Sequence, residues 1–237
     1  MPQLSGAVVL VTGANGGLGR EFVEQALARG AAKVYATARR PREWNDARIV
    51  PLVLDVTDPN SIRAAVAQAP DVTVLINNAG IAVESDTLLA LPDEEVRKVM
   101  ETNFFGPVAL TKAFAPVLAA SGTSAVLNIH SALSWIALTG AYSASKAGLW
   151  SATNSFRMEL APQGTHVMGV HVGYMDTAMA EGVNAPKTSP EEVVRKTFDG
   201  LEQGEYEVIV DEVSAGVKLG LSGSIPDLYP ALAAAPA

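Results

Sequence analysis

Short runs of apolar, often β-branched residues alternate along the chain with longer stretches in which apolar side chains return every three or four positions. The short runs predict strands near Ala7–Thr12, Lys33–Thr37, Val50–Leu54, Thr73–Asn77, Ala125–His130, His166–His171 and Glu207–Val210. The longer stretches predict helices near Leu18–Arg29, Asn60–Gln68, Glu94–Leu118, Ala141–Leu160 and Glu191–Leu201. Runs such as Val8-Val9-Leu10-Val11 lack a period of two, as expected of parallel strands covered by helices on both faces. Right-handed crossovers then give an α/β fold, a doubly wound parallel sheet in three layers (α/β/α). Ser189-Pro190-Glu191-Glu192 reads as a helix start: capping hydroxyl, first-turn proline, then acids at the positive end of the dipole. Glu94/Lys98 and Glu191/Arg195 are expected to form solvated pairs on helix faces.

With 49% hydrophobic and 18% charged residues, the 237-residue chain can bury a large core and is expected to form one domain over 1–237. A loosely held Ala/Pro tail is expected from about residue 230. Seventeen basic against 25 acidic residues give a net charge of −8 with no Lys/Arg block, which argues against a nucleic acid or anionic membrane as partner. Any phosphate site must therefore be local. The absence of cysteine removes disulfides, thiol nucleophiles and Cys-ligated zinc. His130, His166 and His171 have no acid at ligand spacing, so no metal site is expected. The N-terminal apolar run lacks a basic start and breaks at Gly13, and no apolar stretch approaches the roughly 18 residues that span a bilayer. The expectation is a soluble, cytoplasmic protein.

Between the first strand and first helix lies Thr12-Gly13-Ala14-Asn15-Gly16-Gly17-Leu18-Gly19, with four glycines in seven residues from Gly13. Such a turn lets backbone approach a pyrophosphate and aims free helical N–H groups at it, so the sheet is expected to be Rossmann-like and to cradle a dinucleotide.

The spacing T-G-x-x-x-G-x-G resembles the short-chain dehydrogenase/reductase family. Because Gly16 is also glycine, T-G-x-x-G-x-x-G fits too, the form of that family's longer epimerase-like branch. The turn leaves both open, and the chain length favours the compact oxidoreductase branch. The resemblance implies cofactor contacts at Gly13, Asn15, Gly17, Leu18 and Gly19, adenine contacts at Asp55 and Val56, and ribose-lining or supporting roles for Asn77, Ala79 and Gly80 in Asn77-Asn78-Ala79-Gly80. At the end of strand two, where an acid would meet an NAD ribose, the chain reads Thr37-Ala38-Arg39-Arg40. Guanidinium binds a 2′-phosphate that a carboxylate would repel, so NADP(H) is expected in preference to NAD(H).

Tyr142 and Lys146 are four apart and share one helix face. A phenol that trades protons near neutrality needs its anion stabilised; a drop of about three units from its ordinary pKa corresponds to about 4 kcal/mol, which an adjacent ammonium and an oxidised nicotinamide could supply. By the family resemblance Ser131, eleven positions before Tyr142, bonds the substrate oxygen, with Ser134 as competitor. The resemblance also implies that Lys146 binds the nicotinamide ribose, that Asn103 serves a proton relay, and that Met175 and Thr177 contact the carboxamide in a loop where Val172 replaces the family's proline. Leu133, Trp135, Ile136, Tyr174 and Met179 are expected to line a comparatively open pocket for a mainly apolar ketone or secondary alcohol. The implied activity is hydride exchange between ketone or aldehyde and alcohol, with homodimers or homotetramers built through the helices carrying Asn103 and Tyr142. A nucleotide-sensing regulator and a non-redox epimerase or dehydratase remain alternatives; the joint presence of Ser131, Tyr142 and Lys146 counts against the regulator, and NADPH consumption separates the epimerase.

Overall fold

The computed structural model describes residues 2–83 and 87–233. Seven strands form one parallel sheet: β1 (Val8–Thr12), β2 (Lys33–Ala38), β3 (Ile49–Val53), β4 (Val74–Asn77), β5 (Ser124–Ile129), β6 (Thr165–His171) and β7 (Glu207–Ile209). Their order is β3-β2-β1-β4-β5-β6-β7. After β1 the chain winds outward to β2 and β3, then returns to place β4 on the other side of β1. That reversal opens a crevice at the carboxyl ends of β1 and β4, the position where doubly wound sheets bind ligands.

Because the strands are apolar on both faces, the sheet carries two cores. One packs Phe22 of α1 (Gly17–Ala28) edge-on against Phe198 of α6 (Pro190–Gln203), ring centroids 5.5 Å apart. The other packs Leu110, Phe114 and Leu118 of α4 (Gly106–Ala120), Phe156 and Leu160 of α5 (Gly140–Leu160), and Ile62 and Ala65 of α2 (Pro59–Gln68). Ser189 caps α6 as expected, its hydroxyl accepting the Glu192 amide at 3.2 Å ahead of Pro190.

The secondary structure and its surface pairs depart from the sequence expectations in several places. The single helix expected over 94–118 is α3 (Asp93–Met100) and α4 joined by a π-helical turn, Glu101–Phe105. Contrary to the sequence expectation, Asp93–Ala120 is enough by length and composition to cross a membrane. Here its apolar face, Leu110, Phe114 and Leu118, is fully buried against the sheet layer. Lys98 pairs with Glu95 at 3.0 Å and Arg195 with Glu192 at 2.8 Å, because a spacing of three reaches as well as the expected spacing of four. After β7 come α7 (Glu212–Gly220), α8 (Ile225–Leu228) and α9 (Pro230–Ala233), the last within the stretch expected to be a loose tail; residues 234–237 lie outside the described residues.

Candidate active site

A cleft of about 1320 Å³ occupies the crevice. Its floor is the glycine turn, and the backbone shows which glycines the turn demands. Gly13 has φ +68°, and a Cβ there would lie 3.1 Å from Ala79 Cα. A Cβ on Gly17 would meet Thr177 Cγ2 at 3.1 Å, and one on Gly19 would sit 2.2 Å from the Gly13 carbonyl oxygen. Gly16 has nothing within 4 Å of its would-be Cβ. Steric need therefore selects the Gly13/Gly17/Gly19 spacing of the two that the sequence allowed. Helix α1 starts at Gly17 without a side-chain cap, leaving first-turn N–H groups for an anion.

Thr12 joins the two strands that flank the crevice. Its hydroxyl oxygen accepts the amides of Asn78 and Ala79, each at 2.9 Å, while Asn78 Nδ2 donates to the Thr12 carbonyl at 2.8 Å. Asn78, Ala79 and Gly80 thus reach the cleft wall. Asn77, expected there, does not: it ends β4 on the inner face and donates to Asn128 Oδ1 at 2.8 Å and Thr111 Oγ1 at 3.2 Å. Strand alternation turns Asn77 inward and leaves Asn78 to meet the cleft. Thr37 is also internal, fully buried and bonded to the Val11 carbonyl at 2.9 Å; its neighbour Ala38 lines the cleft instead.

Arg39 and Arg40 are exposed at the rim. Asn15 spends both ends of its amide on their loop, donating to the Arg40 carbonyl at 2.7 Å and accepting the Arg42 amide at 3.2 Å. Asp55 and Val56 lie on the wall, where the hydrogen bonds from Thr57 and then the charge of Arg39 hold the Asp55 carboxyl below its ordinary range. Uncapped helical amides, side-chain-free backbone at Gly17 and Gly19 and two rim guanidiniums fit a phosphorylated dinucleotide.

Tyr142 and Lys146 project from the first turns of α5 into the cleft wall, with Lys146 Nζ 5.6 Å from the centre of the Tyr142 ring. Ser131, two residues beyond β5, lies beside the Tyr142 phenol and acts to lower its pKa. Each serine hydroxyl accepts one amide of the turn, Ser134 that of Ser131 and Ser131 that of Leu133, both at 3.2 Å, and it is Ser131 that acts on the phenol. Buried Lys146 donates to the Ile129 carbonyl at 2.7 Å, and burial pushes its ammonium down to about 8. Burial pushes the Tyr142 phenol up to about 12, against the opposing effect of Ser131. The lysine-driven depression expected from the four-residue spacing is therefore absent from the chain's own electrostatics; desolvation dominates.

Asn103 sits inside the π turn, fully buried, and its side chain clamps Ile81: Oδ1 accepts the Ile81 amide and Nδ2 donates to the Ile81 carbonyl, both at 2.8 Å. Nδ2 also reaches Ser145 Oγ at 3.1 Å, a partner with no sequence signal. Asn103 and Lys146 meet at Gly80, whose would-be Cβ lies 3.3 Å from Asn103 Oδ1 and 3.7 Å from Lys146 Nζ.

Met175 and Thr177 close the cleft, steadied by a bridge from Met175 to Thr188. Val172, in the place of the proline, is buried, and the next amide, Gly173, is held by Asp211 at 2.6 Å. Of the expected substrate-pocket residues, only Met179 lies on the cleft wall. Leu133 and Ile136 are half-buried off it, and Tyr174 is 46% exposed. The turn Ala132–Ser134 sends Trp135 inward to stack on His171 at 3.9 Å. Among the described residues no cluster of three or more His, Asp or Glu could hold a metal.

The short chain dehydrogenase family profile matches residues 7–188. A short chain dehydrogenase from Burkholderia cenocepacia, solved in complex with NADP, superposes with a TM-score of 0.92 at 35% identity, covering 98% of this chain and 99% of that one. NADPH-bound carbonyl reductase from chicken fatty liver superposes at 0.79 with 28% identity over 89% of this chain and 96% of its own. Dehydrogenase/reductase SDR family protein 7-like of Drosophila melanogaster is 30% identical over 96% of this chain and 79% of its own length. With its parallel sheet, glycine turn and Ser131/Tyr142/Lys146 cluster, the chain belongs to the short-chain dehydrogenase/reductase family of oxidoreductases.

Proposed function

We propose that the protein is an NADP(H)-dependent reductase that interconverts a ketone or aldehyde and the corresponding alcohol. The observation that carries this reading is Tyr142 on the cleft wall, beside Ser131 and one helical turn from Lys146. NADPH, when bound, supplies the hydride. Ser131 and Tyr142 hold the carbonyl oxygen between two hydroxyl donors, and Tyr142 delivers the proton that completes the alcohol. A phenol near 12 is fully protonated at neutral pH, the state required of a proton donor. Lys146 binds the ribose hydroxyls and favours the phenolate that proton delivery leaves behind. Asn103 holds the Gly80–Ile81 backbone against Lys146. Arg39 and Arg40 take the 2′-phosphate, in keeping with the NADP bound by the Burkholderia cenocepacia enzyme.

The test follows NADPH and NADH absorbance with acetophenone, benzil and ethyl acetoacetate. NADPH consumption that falls by about 10²- to 10⁴-fold in Tyr142→Phe, with NADPH binding retained, is expected. Turnover kept by Tyr142→Phe overturns the proton-donor role. We extend the reading to a homodimer or homotetramer through α4 and α5, whose neighbourhood exposes Phe105 (49%) and Met158 (78%); a monomer by light scattering overturns it.

A further inference from the structure

The serine turn is held from behind by a column of three rings, of which His130 also lines the cleft. His171, fully buried at the end of β6, stacks on Trp135 at 3.9 Å and 10° and on His130 at 4.8 Å and 28°. Its Nδ1 lies 3.3 Å from the Ser131 carbonyl oxygen. A carbonyl only accepts, so the ring hydrogen is on Nδ1 and Nε2 carries the lone pair. Nε2 approaches Glu207 Oε1 at 3.3 Å without making a hydrogen bond. Burial keeps the ring neutral, pushing it down to about 3, so this approach is not an ion pair. Glu207 is paired instead with Lys218 of α7, whose ammonium also lies 5.7 Å from the Trp135 ring centre.

His130 is fixed in the same way. Its Nε2 is 3.1 Å from Thr153 Oγ1, whose hydrogen goes to the Leu149 carbonyl at 2.7 Å, so His130 is the donor there. Both imidazoles have defined tautomers and faces.

We propose that His171 is a positioning residue for Ser131, holding the serine turn by the Nδ1–H bond to its carbonyl, with Trp135 as the plate that sets the ring's angle. This rests on the reading of Ser131 as the hydroxyl that meets the substrate oxygen. The hold falls at the serine itself: the amides on either side, His130 and Ala132, reach the Val170 and Val172 carbonyls at 2.8 and 3.1 Å, whereas the Ser131 carbonyl is otherwise bonded within its own turn, by the Ser134 amide at 2.9 Å, so His171 is what ties it to β6. Misplacing that hydroxyl by a fraction of an ångström costs turnover without touching the cofactor.

The experiment compares full-length wild type, His171→Phe, which keeps a flat ring against Trp135 but no donor, and His171→Asn, whose amide N–H replaces Nδ1–H. Each is measured with NADPH and benzil, alone and combined with Ser131→Ala. His171→Phe lowers kcat by roughly ten- to a hundredfold with KM for NADPH within about twofold, His171→Asn recovers most of it, and His171→Phe adds no loss once Ser131 is alanine. In wild type, nitrogen-15 spectra of the imidazoles place a slowly exchanging hydrogen on His171 Nδ1, a readout that needs neither folding of a variant nor activity. Unchanged kcat in His171→Phe, a loss that multiplies fully with that of Ser131→Ala, or a hydrogen on Nε2 overturns the proposal. Full turnover in Ser131→Ala alone overturns the reading of Ser131 instead, and the spectra then judge the His171 contact by itself.

Discussion

Gly19 lies so close under Gly13 that a methyl group on it would stand 2.2 Å from the Gly13 carbonyl oxygen. No flexible side chain can yield there, because the obstacle is backbone. Gly19→Ala is therefore expected to open the turn and lose NADPH binding. Gly16→Ala, with open space around its Cβ and no positive φ, should bind NADPH as wild type does. Titration by NADPH fluorescence checks both. Equal behaviour of the two variants would contradict the turn geometry.

Lys146 trades stability for chemistry. The unfolded side chain keeps its proton up to its ordinary 10.5, the folded one only to about 8, so the folded state is penalised wherever both are charged, below about pH 8. The penalty fades as pH rises from 8 towards 10.5. It corresponds to roughly 3 kcal/mol, offset in part by the bond to Ile129. Lys146→Met should be inactive yet melt no lower than wild type at pH 7, its advantage shrinking above pH 8. Melting curves across that range decide it, and a variant less stable at every pH refutes the sign.

The rim arginines set cofactor choice. Arg39→Ala combined with Arg40→Ala should raise KM for NADPH by about tenfold or more while leaving KM for NADH nearly unchanged, since a charge-assisted phosphate contact is worth about 1.5–3 kcal/mol. Asn15→Ala, by freeing the loop from its two backbone bonds, should move the same ratio in the same direction by less. An unchanged NADPH/NADH ratio in the double variant refutes the assignment.

Behind the site, Asn77 donates to Asn128 and Asn128 donates to Thr153 at 2.8 Å, all fully or nearly buried. Asn128→Leu strands one N–H of the Asn77 amide, which keeps its bond to Thr111, and leaves Thr153 one donor short, so a loss of about 2–4 kcal/mol in urea denaturation is expected. A loss below about 0.5 kcal/mol would show that the chain of amides is not a structural tie.

What could be read from sequence was what is local. The glycine turn, the strand runs and the Tyr142/Lys146 spacing each depend on residues a few positions apart, and the structure places them as read. What depended on side-chain direction at an element's end was not legible. Asn77 and Asn78 look equivalent in sequence, yet one faces the sheet interior and the other the cleft. Trp135 follows Ser131 closely enough to suggest a pocket wall, but a single 3₁₀ turn sends it behind the serine. Helix α7 did carry a signal, Asp211 capping the Ser214 amide at 2.8 Å, that its weak apolar periodicity concealed. The clamp of Asn103 on Ile81 joins positions 22 apart and has no local trace.

The π turn at Glu101–Phe105 carries one residue more than an α-helix would fit into that length. Deleting a single residue there would close the wide turn into ordinary α-helix and let the coil run straight through, the helices on either side keeping their facing because the extra residue is what the turn absorbs. Asn103 would lose the widened turn that aims it at Ile81. An odd-length step in a helix is thus a kind of lock, which a substitution can loosen and only a change in chain length can undo.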